Sequence, residues 1–233
     1  MTTTVVIPGR FCGPPESANG GYAAGTLAGF VDPEPDADAV EVTLRRPPPL
    51  DRALVVDRHG SGATLRDGDT LVAEAVPGRV AVEVPEPVPF DLAVDLSRGS
   101  PFRDMTTHPF PTCFGCGPAR EAGDGLRLFA GRVPESTRYA APWVPRAVDR
   151  ETVWAALDCP SCAVIYLDDD QPPPHVLGRM TARVDRLPEV GANHVVMSWL
   201  LGRDGRKVDS ASAVFDEHGA LCAVAVARWI ALV

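Results

Sequence analysis

The same order of predicted elements occurs twice in this chain of 233 residues, and that repetition limits the folds it can adopt. In each half an apolar helix precedes segments in which apolar and polar residues alternate, the pattern of half-buried strands. Residues of similar type recur 140 positions apart, among them Val42 and Ala182, and Leu44 and Val184. A self-similar chain of this length is predicted to build one structural unit twice.

The first predicted helix covers residues 20–30, where Ser17 or Asn19 can cap the free amides at its start. The second covers residues 149–159, begins with an aspartate that can serve as its cap, and has apolar side chains at helical spacing. Proline cannot donate a backbone hydrogen bond, so we expect this helix to end at Pro160. Both helices are too apolar for an exposed surface.

We therefore predict an α+β fold made of two tandem repeats, each a curled antiparallel sheet wrapped around one central helix. Two such units can join edge to edge, which leaves the helices as neighbours and removes exposed sheet edges. The predicted boundaries are residues 1–97 for the first repeat, 98–137 for an irregular connector rich in Pro, Gly and Cys, and 138–233 for the second repeat.

Composition and charge exclude several classes of partner. The net charge of −9 is unfavourable for a protein that binds nucleic acid through clustered cations. The most apolar late segment, residues 221–233, is shorter than the roughly 20 residues that cross a bilayer. The first ten residues lack the pattern of a signal peptide. We expect a cytoplasmic protein that binds neither nucleic acid nor membranes.

The sequence Asn19-Gly20-Gly21 at the start of the first helix resembles the His-Gly-Gly opening of phenylacetyl-CoA-type thioesterases. Together with the duplicated helix and meander, it resembles the double hotdog fold of acyl-CoA thioesterases and related dehydratases. The resemblance implies that a backbone amide at the glycine pair polarises a thioester carbonyl. It also implies that an acidic residue, nine positions after the motif's first residue on a neighbouring helix, activates water or attacks directly.

Aligning the two helices places Ala28 at the position of that acid in the first half and Asp158 in the second. In place of the glycine pair, the second helix has Asp-Arg-Glu at residues 149–151. Each half thus keeps the component that the other lacks, and one composite site per chain follows. The predicted catalytic residues are Asn19, Gly20, Gly21 and Asp158.

The chemistry of such a site follows from its parts. A helix N-terminus has unpaired N–H groups and a partial positive charge, which stabilise a developing oxyanion. A carboxylate across the same carbon can act as general base. We predict a thioesterase-like hydrolase acting on an acyl-CoA or acyl-carrier thioester. The alternatives are a hydratase or dehydratase of the same fold and a non-catalytic acyl- or CoA-binding protein. A monomer and a homodimer are both compatible with the sequence.

Two Cys-x-x-Cys pairs, Cys113 with Cys116 and Cys159 with Cys162, leave two interpretations open. Four thiols, or three with His108, suit a tetrahedral zinc ion. The 42 residues between the pairs exceed the spacing of compact zinc modules, and small buried thiols are the simpler interpretation. We therefore expect no bound metal and no cofactor other than the CoA of the substrate.

Overall fold

A single antiparallel sheet runs through the whole computed structural model, which describes residues 2–167, 169 and 171–232. Within those residues the helices are α1 (Gly20–Ala28), α2 (Phe90–Arg98) and α3 (Arg150–Cys162). The strands are β1 (Thr2–Val6), β2 (Ala39–Leu44), β3 (Ala53–His59), β4 (Gly62–Asp67), β5 (Thr70–Gly78), β6 (Gly131–Arg132), β7 (Arg138–Trp143), β8 (His175–Val184), β9 (His194–Asp204), β10 (Lys207–Phe215) and β11 (Leu221–Ala231).

The strand order shows the duplication directly. It runs β1-β3-β4-β5-β2 through the first half and then β8-β11-β10-β9-β7 through the second, with the short β6 at the far edge. When β6 is set aside and the five other strands of each half are numbered in chain order, both halves have the order 1-3-4-5-2. This order runs in opposite directions through the sheet in the two halves, because they are related by a pseudo-two-fold axis. The predicted architecture of two joined repeats is confirmed.

Strands β2 and β8 join the two halves. Glu41 pairs with Thr181, 140 residues later in the chain, and the neighbouring pair joins Val42 to Met180. At a two-fold junction between equivalent strands, the residue beside the axis faces its own counterpart. The spacing of 140 seen in the sequence is therefore the register of this junction.

Helices α1 and α3 begin where their caps predict. Asn19 caps α1, since its Oδ1 accepts a hydrogen bond from the Tyr22 N–H at 2.9 Å. Asp149 caps α3 in the same way, accepting from the Thr152 N–H at 2.7 Å. The two helices lie against each other on one face of the sheet, α1 against β2, β5 and β8 and α3 against β9, β10 and β11.

The prediction that α3 ends at Pro160 is wrong. The helix continues to Cys162 with the proline in its last turn. Near this end, hydroxyl groups from the sheet bind two helix carbonyls. Ser212 Oγ donates to the Leu157 carbonyl at 2.7 Å and Ser198 Oγ donates to the Pro160 carbonyl at 2.6 Å. Two buried carbonyls in the last turns of α3 are thus hydrogen-bonded from outside the helix.

Two glycines let the helices approach closely. A Cβ atom on Gly21 would lie 2.5 Å from the Asp158 Cβ and equally close to the Trp154 carbonyl oxygen. A Cβ atom on Gly25 would lie 2.9 Å from the Glu151 Cα. Because any larger residue would force the helices apart, this crossing sets the distance between the start of α1 and the last turns of α3.

The sequence prediction missed the layer that covers the outer face of the second half. Valines of residues 80–88 and helix α2 pack there against a second apolar cluster that includes Met197, Trp199 and Phe215. Helix α2 also contacts β7, beyond the connector. The boundaries drawn at residues 97 and 138 stay a prediction. None of the helices in the described ranges is long and apolar enough to cross a membrane.

Candidate active site

The start of α1 and the seventh to tenth residues of α3 meet around one carboxylate. Asn19 Nδ2 donates to Asp158 Oδ2 at 2.8 Å, and the Gly21 backbone N–H donates to the same oxygen at 3.0 Å. The helix crossing described above brings these groups together from positions 137 and 139 residues apart. The structure thus places Asn19, Gly21 and Asp158 in direct contact.

The other oxygen of this carboxyl group has no such support. Asp158 is only 2% exposed, and its Oδ1 is buried without a hydrogen-bond partner among the described residues. Burial raises the pKa of the Asp158 carboxyl to about 7, against the lowering effect of the hydrogen bonds from Gly21 and Asn19. A carboxyl group that exchanges its proton near neutral pH, with one free oxygen, is suited to general-base chemistry.

The two glycines occupy different positions in the site. Gly20 lines a cavity beside the carboxylate, and its N–H, at the first position of α1, takes part in no hydrogen bond of the described residues. Gly21 is buried behind it, and its N–H is engaged by Asp158. The amide free to face a ligand is therefore that of Gly20, while Gly21 positions the acid.

The cavity itself has a volume of about 590 Å³ and a largely apolar wall. Phe110, Ile165 and Trp229 contribute to that wall, and Asn19 and Asp158 supply polar groups. Such a composition, apolar with a few convergent polar groups, is typical of a small-molecule site.

Comparison with known proteins identifies this architecture. No protein-family model matches the sequence, and no curated protein does. Solved structures match over its full length. A tesB protein from Mycobacterium avium subsp. paratuberculosis superposes with a TM-score of 0.66 at 11% identity, covering 100% of this chain and 93% of that one. A protein of unknown function with a hot dog fold from Alicyclobacillus acidocaldarius gives 0.62 at 13% identity, with coverage of 100% and 93%.

The chain has a double hotdog fold. A third double hotdog match, an acyl-CoA thioesterase II from Mycobacterium marinum, covers 99% of this chain and 93% of its own, with a TM-score of 0.59 at 10% identity. At sequence identities this low, structural similarity establishes the fold alone. Any activity must be argued from the residues of the site.

The pseudo-two-fold axis of the double hotdog relates this site to a second cavity of about 330 Å³. There Ala28 lines the wall at the position equivalent to Asp158, and Arg150 lines it at the position equivalent to Gly20. This second cavity therefore lacks the acid and the glycine-lined helix start of the first.

Four cysteines and His108 also line the main cavity. The connector folds over the ends of both helices, and it brings His108, Cys113 and Cys116 to the cavity wall beside Cys159 and Cys162. Three of these thiols, those of Cys113, Cys116 and Cys159, lie within 4.8 Å of one another and could hold a metal ion. The connector is irregular, so no periodicity could have placed His108 there from the sequence.

Proposed function

We propose that this protein is a thioesterase-like hydrolase that cleaves an acyl-CoA or acyl-carrier thioester at one composite site per chain. The observation that carries the proposal is the Asp158 carboxyl group, held through Oδ2 at the start of α1, with Oδ1 unpartnered and the residue lining an apolar cavity. A double hotdog fold and its similarity to an acyl-CoA thioesterase II support the substrate class.

In the proposed mechanism, Asp158 Oδ1 accepts a proton from a water molecule as that water attacks the thioester carbonyl carbon. The Gly20 N–H donates a hydrogen bond to the carbonyl oxygen, which becomes an oxyanion, and the positive end of the α1 dipole adds to its stabilisation. Collapse of the tetrahedral intermediate breaks the C–S bond. The departing thiolate takes the proton from Asp158, and the products are the carboxylic acid and free CoA thiol.

Charge at the mouth of the cavity is consistent with a CoA thioester. Arg45 and Arg46 both border the cavity, and Arg45 is already paired with Glu74. Arg46 is exposed and has no ion-pair partner among the described residues. We assign Arg46 as a contact for the CoA phosphates, and the apolar wall as the site of the acyl chain.

A hydratase or dehydratase is the second candidate, because that chemistry pairs a histidine with an acid and His108 lines the same cavity as Asp158. The position of the ring argues for the hydrolase. His108 Nδ1 accepts a hydrogen bond from the Phe110 N–H at 3.0 Å, so Nε2 carries the proton and the neutral ring has no free basic nitrogen.

The decisive experiment measures thiol release from a panel of saturated and aromatic acyl-CoA thioesters, together with hydration of an enoyl-CoA. We expect hydrolysis by the wild type and a fall in kcat of at least about 100-fold in Asp158→Asn, the usual contribution of a general base. Asp149→Asn is the matched control, since it makes the same change at the cap of α3 and retains an oxygen that can cap.

Each result bears on a different candidate. Thiol release that Asp158→Asn leaves intact rejects Asp158 as the base. Hydration of the enoyl-CoA without thiol release selects the hydratase. Saturable binding of an acyl-CoA without turnover of any substrate selects a binding protein.

A further inference from the structure

Three buried thiols from two distant parts of the chain converge beside the candidate active site. Cys113 Sγ and Cys159 Sγ are 3.5 Å apart, and Cys116 Sγ lies within 4.8 Å of both. Ligands bound to zinc at about 2.3 Å in a tetrahedron have sulfur atoms roughly 3.8 Å from one another. The observed spacing needs only small side-chain shifts to reach that geometry, whereas a disulfide would require the sulfurs to approach to about 2 Å.

The backbone of the connector is shaped around these thiols. A Cβ atom on Gly115 would lie 2.4 Å from Cys159 Sγ, so only glycine lets the turn between Cys113 and Cys116 close over the third thiol. The Gly117 N–H donates to the Cys113 carbonyl at 2.8 Å, and the Leu128 N–H donates to the Gly115 carbonyl at 2.9 Å. These two hydrogen bonds fix the shape of the turn, and the close approach of Gly115 to Cys159 places it against α3.

Hydrogen-bond donors surround the cluster as they would surround bound thiolates. Asn19 Nδ2 lies 3.5 Å from Cys159 Sγ and 3.8 Å from Cys113 Sγ. The backbone N–H groups of Cys116 and Gly115 also donate hydrogen bonds to the Cys113 sulfur. Donors of this kind stabilise the negative charge that metal ligation requires.

His108 has an unsatisfied donor in the same place. The ring is 6% exposed and lies near Cys113 and Cys116. Its Nε2 is buried without a hydrogen-bond partner among the described residues, and the Phe110 hydrogen bond to Nδ1 leaves the proton on Nε2. Buried unsatisfied donors are rare in native proteins. The negative charge of a metal–thiolate group close to the ring would stabilise this N–H group.

We propose that Cys113, Cys116 and Cys159 bind one Zn²⁺ ion and that the fourth coordination position faces the cavity. Three thiolates are a preferred donor set for Zn²⁺, and three protein ligands with an open position form a recognised class of zinc site. All three thiols line the cavity wall. Cys162 lines it too, but its sulfur falls outside the 4.8 Å group, so we assign it no bond to the metal.

The ion would fasten the connector to α3 and fix the wall of the cavity next to Asp158. This proposal reverses our expectation from the sequence that the thiols bind no metal. The long spacing between the two Cys-x-x-Cys pairs argued against zinc, but the connector folds back and removes that distance. The proposal adds no step to thioester hydrolysis and stands or falls independently of it.

The test is the metal content of the full-length protein, purified in reducing buffer without chelator and analysed by elemental mass spectrometry. We expect about one Zn²⁺ per chain in the wild type, and less than about a tenth of that in Cys113→Ser, Cys116→Ser and Cys159→Ser. Cys222→Ser, which changes a buried thiol on β11, is the matched control and should retain the metal. Cys162→Ser should also retain it.

A second measurement uses the wild-type protein and so does not depend on whether the cysteine variants fold. Wild-type protein stripped of metal and kept reduced is titrated with Co²⁺, and the expected result is a sulfur-to-cobalt charge-transfer band that saturates at one equivalent and disappears when Zn²⁺ is added. Absence of Zn²⁺ and of this band overturns the proposal, as does a Cys113–Cys159 disulfide in the purified protein. Loss of metal in Cys162→Ser overturns the three-ligand assignment.

Discussion

Asn19 caps one helix and, through the other end of the same amide group, holds Asp158 on the neighbouring helix at 2.8 Å. The two functions use different atoms, Oδ1 for the cap and Nδ2 for the carboxylate. They can therefore be separated by substitution.

Asn19→Ser should separate them. Serine is a good helix cap, so the free energy of unfolding should fall only by what the unpaired Asp158 oxygen costs, about 1–3 kcal/mol. The donor to Asp158 Oδ2 is lost, and kcat/KM should fall by about 10- to 100-fold, because a hydrogen bond to a charged group is worth about 1.5–3 kcal/mol. Thermal unfolding and thiol-release kinetics on the same preparation check both statements. Unchanged kcat/KM in a stable variant would contradict the role of Asn19.

Gly21→Ala tests the close crossing of the helices. Its added methyl would lie 2.5 Å from the Asp158 Cβ, so α3 must shift, and we expect a loss of about 1–3 kcal/mol in the free energy of unfolding. Activity should fall as well, since the shift moves the acid. The control is Gly29→Ala, where the new Cβ meets nothing nearer than the Thr26 carbonyl oxygen at 3.6 Å. Urea unfolding of both variants measures the difference in the free energy of unfolding. Equal stabilities would contradict the close approach of α1 and α3 at Gly21.

Arg46→Ala tests the proposed phosphate contact. We expect KM for an acyl-CoA to rise by about five-fold, equivalent to about 1 kcal/mol for an exposed ion pair, with kcat unchanged. KM for the N-acetylcysteamine thioester of the same acid, which has no phosphate, should stay the same. Arg132→Ala, an exposed arginine on β6 outside both cavities, serves as control. An equal rise in KM for both thioesters would argue against a phosphate contact.

Asp209 provides a pH-dependent prediction about stability. Arg228 binds its carboxylate through two hydrogen bonds of 2.7 and 2.8 Å across β10 and β11, and this holds the pKa of Asp209 below its usual value. A lowered folded pKa stabilises the protein above the unfolded value of about 3.9, and that contribution is lost as the pH falls through the folded pKa.

Asp209→Asn should therefore reduce stability at pH 7 by less than about 1 kcal/mol, because both side chains are partly exposed. The difference from wild type should narrow as the pH falls below about 3.9. Urea unfolding at several pH values measures this difference in the free energy of unfolding. The control is the same substitution in an Arg228→Met background, where the ion pair is absent. A difference that is constant with pH would contradict the assignment.

Local patterns predicted the duplicated architecture because caps, helical spacing and strand alternation are short-range signals. Asn19 and Asp149 cap the helices as expected, and the spacing of 140 residues reappears as the pairing of Glu41 with Thr181. The proximity of Asn19, Gly21 and Asp158 followed from aligning the helices. Their catalytic role stays a prediction that the kinetic experiments test.

Features that depend on long-range packing were not predictable in this way. Helix α3 continues through Pro160, and hydroxyls from β9 and β10 bind carbonyls of its last turns. Helix α2 is stabilised by an apolar cluster on the outer face of strands from the other half. The approach of Cys113 to Cys159 depends on how an irregular connector folds back, and spacing along the chain contains no information about it.

The junction between β2 and β8 places counterpart strands of one polypeptide side by side, as two identical subunits would place them. In a pair of identical subunits every substitution appears on both sides of the axis. Here Ala28 and Asp158 are encoded separately, so one pocket can be dedicated to chemistry while its mirror position is free to take another use or none. Fusion into one chain thus permits an asymmetric molecule built from a symmetric plan.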